Sequence, residues 1–204
     1  LDDDFADTLV DLSCTGIISD MMDMSVPENR YIAYQGFNNL NNPVLKKLSG
    51  GFGFDAKCVA FSVAPVINAC VRIDKNEYAM RAFIEDEPTA VSDIVKILKK
   101  CKEEQNKEID GLMSVIEKQC QEQINNKMFV LFIKTDNGIA GVLANKILQK
   151  YARPIVILRD ELDENGYYHG SMRAVGVDNF QKLINESGLS SSFGHENASG
   201  VDIK

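Results

Sequence analysis

The chain has 204 residues, 45% hydrophobic and 25% charged, an ordinary globular composition with room for one large domain or two small ones. Its net charge of −8 argues against a general nucleic-acid coat, whose affinity comes from many Lys and Arg contacts to phosphate, but leaves a local site open. The five cysteines, Cys14, Cys58, Cys70, Cys101 and Cys120, are odd in number and form no Cys-x-x-Cys pair; this argues against a disulfide framework or a zinc site and reads as reduced, half-buried packing.

The longest purely apolar run, Met128 to Ile133, is too short to span a bilayer, and no basic-plus-apolar signal stretch opens the chain, so it reads as soluble and cytoplasmic. The chain opens at Leu1 rather than a methionine, which reads as a fragment or a processed product. Residues 128–204 carry 8 Lys+Arg against 9 Asp+Glu, leaving 14 against 21 upstream, so the acid excess sits in the first part.

Phe5, Leu9 and Leu12 recur at helical spacing within residues 4–14 and predict a short amphipathic helix. Gly16-Ile17-Ile18-Ser19-Asp20 then delivers a carboxylate after a small apolar step, and Asp23 follows three residues on. Two acids so placed can share a helical face or turn and ligate a hard cation, Mg²⁺ or Mn²⁺; a helix cap or a solvated acid fits the same spacing. Residues 28–48 read as helix with a polar interruption, Tyr31, Ile32, Tyr34 and Phe37 forming the apolar face. Gly50 to Phe54 is a loop. In the segment Phe61 to Arg72, Asn68 and Arg72 are four apart and share a helical face, where Arg72 suits a carboxylate, a phosphate or simply the helix end.

From Pro88 to Ile124, apolar residues from Ile94 to Cys120 recur at threes and fours, with Asp86 as the N-terminal boundary signal. A continuous helix here runs on the order of 50 Å. Lys99 to Glu108 is almost wholly polar, so the middle is expected to be solvated while the ends pack on different bodies; a coiled-coil segment is the other reading.

After Asn126 the pattern changes to a β-α-β-β-α-β order. It comprises a strand at 128–134, a helix at 137–151 with close-packing Gly138 and Gly141, and a buried parallel strand at 154–158. A turn at 163–166, a strand at 167–175, a helix capped by Asp178 and reaching Ser187, and a last strand after Gly194 complete it. Ser171 and Arg173, two apart, point the same way on a strand and suit a phosphate, although an exposed Arg with no such role fits equally. Gly194 and His195 read as a turn that exposes backbone N–H groups beside an imidazole, either an anion site or a plain hairpin.

These pieces in this order resemble the second half of a RecJ-type single-strand-specific exonuclease of the DHH phosphoesterase superfamily, through nearly the whole chain. The resemblance rests on the step ending in Asp20 with Glu28-Asn29-Arg30 after it, Ala64-Pro65-x-Ile67-Asn68-Ala69-x-x-Arg72, and the long helix with Asn106. It continues through Gly138-Ile139-Ala140-Gly141, Gly170-Ser171-x-Arg173 and Gly194-His195-x-x-Ala198-x-Gly200. It implies an α/β fold: the mostly helical end of a DHH catalytic domain (1–87), a long connecting helix (88–126) and a small DHH-associated substrate-binding domain (127–204).

By that resemblance Asp20 matches a ligand of Mn²⁺ or Mg²⁺, and Arg72, Ser171, Arg173, Gly194 and His195 match contacts to the phosphates of a single strand entering by its 5′ end, with Asn68 and Gly200 in the same motifs. The implied partner is single-stranded DNA with a 5′-phosphate, and the implied setting recombination and DNA repair. Val66, Val71 and Ser192-Phe193 stand where the family carries Arg, Gly and Gly-Gly, which marks a divergent member of viral or mobile-element kind. Nothing resembles the family's Asp-x-Asp or Asp-His-His steps, so the chain alone is expected to lack a complete active site and to need the missing N-terminal half, in the same or another chain. The alternatives are an oligonucleotide or cyclic-dinucleotide phosphodiesterase of the same superfamily, and a non-catalytic binding or assembly module.

Overall fold

The computed structural model describes residues 3–51 and 53–204. Its chain divides into two compact units, Leu1–Gln105 and Asn106–Lys204.

The first unit is helical. Helices α1 (Asp3–Thr8) and α2 (Val10–Ser19) are broken at Leu9, where a single short helix was expected; Leu9 is exposed, and the side chain of Phe5 lies outside the described residues, as does Phe52. Helix α3 (Pro27–Asn38) packs on α2 through Gly36, where a Cβ would lie 2.2 Å from Cβ of Cys14 and 2.8 Å from the carbonyl oxygen of Val10. That contact rotates α3 away from the expected face: Ala33 and Gly36 are buried, while Tyr31 and Tyr34 point to solvent.

Asp11 is fully buried, its carboxylate accepting from the backbone N–H groups of Leu12 (2.9 Å), Asn41 (2.8 Å) and Asn42 (2.7 Å). This ties α2 to the start of α4 (Pro43–Ser49), itself capped by Asn42, which accepts from the N–H of Leu45 at 2.9 Å. A short α5 (Ala56–Cys58) passes through a π-helical turn, Val59–Val63, into α6 (Ala64–Arg72), with Pro65 in its first turn where no N–H is needed. Helix α7 (Asn76–Ile84) follows.

Helix α8 (Pro88–Glu122) runs through the boundary between the units. Glu87, rather than Asp86, caps it, accepting from the N–H of Ala90 at 2.8 Å. Val91, Ile94, Val95, Leu98 and Cys101 join the core of the first unit, and Ile109, Ile116 and Cys120 that of the second. The polar middle is less solvated than its composition suggests, because Cys101 and Gln105 are buried there.

The second unit is a five-stranded sheet in the order β1-β2-β3-β5-β4: β1 (Phe129–Ile133), β2 (Ile155–Leu162), β3 (Tyr168–Arg173), β4 (Ser190–His195) and β5 (Ala198–Ile203). β1 and β2 are parallel and the other pairs antiparallel. Helix α9 (Ala140–Tyr151) and the second half of α8 cover Phe129, Leu131, Ile133, Ile155 and Ile157 on one face. The other face buries Val156, Leu158, Met172 and Val201 with Phe180 of α10 (Phe180–Glu186). Two local expectations change: Asn179, not Asp178, caps α10, and the Gly194-His195 pair lies inside β4 rather than in a turn. The hairpin turn is Glu196-Asn197, held by the N–H of Phe180 donating to the Asn197 side chain at 3.0 Å and that of Gln181 to the Glu196 carbonyl at 2.8 Å. The final strand of the expected order is therefore two strands.

Candidate nucleic-acid interface

Strand alternation decides which side chains meet in the second unit. Ser171 pairs with Ile157 and Arg173 with Ile155, so both project from the face that α9 covers. Across β3, Ser171 faces Gly200 and Arg173 faces Ala198; across β5, Gly200 faces Phe193 and Ala198 faces His195. The result is a trough: Ala198 and Gly200 form its floor, Ser171 and Arg173 one wall, Phe193 and His195 the other. Ser192 turns the opposite way, its N–H donating to the Asn185 side chain on α10 at 2.7 Å.

Helix α9 begins against the Ser171–Arg173 wall. A Cβ on Gly141 would lie 2.9 Å from Nη2 of Arg173 and 3.4 Å from Oγ of Ser171, so the glycine makes room for both. One turn later Asn145 accepts from Nε of Arg173 at 2.9 Å, while Nη1 donates to the Met172 carbonyl at 2.7 Å; the guanidinium is thereby oriented. No side chain caps the N-terminus of α9, which leaves its first N–H groups without a side-chain acceptor. A serine hydroxyl, an oriented guanidinium and a helix N-terminus together suit an anion such as phosphate. Asn145 is a residue the sequence reading passed over; its signal was the i, i+4 spacing from Gly141.

Gly170 fits β3 against β2, since a Cβ there would lie 2.0 Å from the Ile157 carbonyl oxygen. Gly194 has φ of +133°, a backbone region that favours glycine, and is exposed, as are His195 and Gly200. Gln181 donates to the carbonyls of Ser192 and Gly194, both at 3.2 Å, and so steadies β4 from the far face.

At the end of the same face stands His169, between two carboxylates: Nδ1 lies 2.6 Å from Asp202 and Nε2 lies 3.0 Å from Asp163. The Asp202 contact first, then Asp163, hold its pKa above the ordinary imidazole value. Asp163 is lowered, chiefly by the N–H of Tyr167 and secondarily by His169. Beside it, a cavity of about 210 Å³ is lined by Asn137, Gly138, Ala140, Arg159 and Ser171 among others. Arg159, absent from the sequence reading, continues the period-two face of Ile155 and Ile157.

In the first unit, Asp20 is the exposed C-cap of α2, its N–H donating to the Gly16 carbonyl at 3.0 Å. Asp23 is turned to Ser25, accepting from its N–H at 2.8 Å and its hydroxyl at 2.7 Å, which lowers its pKa. Asp23 is thus engaged locally, and among the described residues no three His, Cys, Asp or Glu side chains are grouped to hold a metal ion. Asn68 lines a cavity of about 230 Å³ with Gly16 and Ser19 of α2. Arg72 is half-buried, and burial pushes its guanidinium pKa down. Among the described residues it makes no hydrogen bond or ion pair, and a half-buried cation so left is a ready anion ligand.

Known proteins bear on this arrangement. No family model matches the chain. A protein named as the SPbeta prophage-derived single-strand DNA-specific exonuclease YorK of Bacillus subtilis (strain 168) is 28% identical over 232 residues, covering 98% of this chain and 40% of the relative. The single-stranded-DNA-specific exonuclease RecJ of the same bacterium is 27% identical over 210 residues, 97% of this chain and 26% of the relative. The chain is homologous to RecJ-type exonucleases.

Crystal structures agree in fold. RecJ from Thermus thermophilus in complex with Mg²⁺ superposes with a TM-score of 0.81 at 22% identity, over 97% of this chain and 32% of that one. An exonuclease RecJ bound to manganese superposes with a TM-score of 0.71, over 97% of this chain and 51% of that one. The chain thus spans less than half the length of the curated RecJ-type relatives it matches. Among the described residues, no helix is long and apolar enough to cross a membrane.

Proposed function

We propose that this chain is the nucleic-acid-binding half of a RecJ-type exonuclease that cuts single-stranded DNA from its 5′ end by metal-dependent phosphodiester hydrolysis. In this reading residues 1–87 are the end of the catalytic domain, 88–126 the connecting helix and 127–204 the substrate-binding domain. The observation that carries it is the oriented Arg173 beside Ser171, in the space Gly141 leaves open at the start of α9. A terminal phosphate seated there would accept from the Ser171 hydroxyl and the Arg173 guanidinium, with Gly194, His195 and Gly200 along its path. Asn68 and Arg72 would hold further phosphates.

Mn²⁺ or Mg²⁺ would supply the activated water, with Asp20 as one ligand. The described residues do not by themselves form such a centre, so the remaining ligands belong to the missing N-terminal half, in this or another chain. Binding rather than cutting is accordingly the activity we assign to these residues.

The test is titration of the chain with a short single strand bearing either a 5′-phosphate or a 5′-hydroxyl. The phosphorylated strand should bind more tightly, and Arg173→Ala should remove that preference at a cost of about 1.5–3 kcal/mol, the worth of a charged hydrogen bond. Equal binding of the two strands, or an Arg173→Ala variant that keeps the preference, would overturn the reading.

A further inference from the structure

Phe193 is 66% exposed, on a strand at the edge of the sheet. Its position opposite Gly200 leaves no side chain across the pair to cover the ring, and among the described residues it makes no ring contact. An uncovered aromatic on an edge strand is a liability for solubility and pairing, and Ser191, the neighbour of Phe193 on the same face of β4, is small and polar.

The register gives the ring a use. Phe193, Gly200 and Ser171 form one row across β4, β5 and β3, so the Phe193 and Ser171 backbones stand two interstrand spacings apart, on the order of 10 Å. Both side chains rise from the same face, and Gly200 between them contributes none. The space between an anion held at Ser171 and Arg173 and the face of Phe193 is the span of one nucleotide, with its phosphate at one end and its base at the other. Aromatic faces on sheets hold bases of single strands by stacking, which tolerates any base because every base presents a π face.

We propose that Phe193 is a stacking platform for the nucleobase of the nucleotide whose 5′-phosphate sits at Ser171 and Arg173. The inference rests on the proposed function and adds a second anchor to it: the phosphate fixes the strand end, and the ring fixes the first base against the far wall of the trough. The platform distinguishes single from double strands, since a paired and stacked terminal base cannot lay its face on Phe193 without leaving its neighbours.

The experiment compares two 5′-phosphorylated single strands, identical except that one has its terminal base replaced by an abasic site, each titrated in the absence of divalent metal. The wild-type chain should bind the base-bearing strand roughly tenfold more tightly. Phe193→Ala and Phe193→Leu should bind both strands alike, at the wild-type affinity for the abasic one; Phe193→Leu keeps an apolar cover over Gly200 and so separates stacking from any stabilisation of the hairpin. Phe193→Tyr should retain the discrimination. Equal wild-type affinity for the two strands, with the 5′-phosphate preference intact, would overturn the platform and leave the proposed function standing. Failure of wild type to bind either strand would overturn both.

Discussion

Nε of Arg173 donates to Oδ1 of Asn145 across 2.9 Å, so a side chain of β3 is aimed by a residue of α9. The two residues are 28 apart in the chain, and Gly141 on the same face of α9 keeps the space in front of the guanidinium clear. Asn145→Ala should therefore weaken binding of a 5′-phosphorylated strand by about 1 kcal/mol, the worth of one hydrogen bond, with little change in melting temperature. A titration giving wild-type affinity would remove Asn145 from its aiming role.

Gly141→Ala separates binding from stability. Its methyl would meet the tip of a flexible Arg side chain at 2.9 Å, which can move aside, and alanine favours the helix by up to about 1 kcal/mol. The variant is expected to melt at or above the wild-type temperature while losing affinity for the 5′-phosphate. A variant that unfolds, or one that binds as wild type does, contradicts this account.

Gly170→Ala is the contrasting case. Here the new methyl would lie 2.0 Å from a backbone oxygen of β2, which cannot move without parting two central strands. Denaturant unfolding should register a loss of about 3 kcal/mol or more.

Asp11 offers a test of the first unit. Its buried carboxylate accepts from three backbone N–H groups, and Asp11→Ala takes the acceptor from the two at the entry to α4, those of Asn41 and Asn42, while Leu12 keeps the Leu9 carbonyl at 3.1 Å. The expected cost is on the order of 3 kcal/mol, read from chemical denaturation.

The His169 clamp gives a pH dependence. Its pKa is raised on folding, so the stabilisation is complete below the unfolded value of about 6.5 and is lost as pH rises through the folded value. Asp163 works at the other end, its lowered pKa contributing above about pH 4 and failing as pH falls through the folded value. NMR titration should place the imidazole midpoint above 6.5, and Asp202→Asn should lower it more than Asp163→Asn does. A midpoint at or below 6.5 would contradict the two-carboxylate clamp.

Much of the architecture was legible in one dimension because it is periodic. The threes and fours of Ile94 to Cys120 specified α8, the β-branched run before Leu158 specified a buried strand, and the spacing of Ser171 and Arg173 placed them on one face before any partner was known. The order of motifs also pointed to RecJ-type relatives, since order survives where any one motif is weak. Distance between remote segments has no such period. Whether Gly194 and His195 lay in a turn or a strand depended on Asn197 and Glu196 reaching α10; the face of α3 depended on Gly36 meeting Cys14; the aim of Arg173 depended on Asn145. By itself the sequence determined which elements form and which side of each is apolar, because those follow from local backbone geometry and side-chain polarity. Only the tertiary structure decided which polar groups converge, because convergence is set by close packing between elements far apart in the chain.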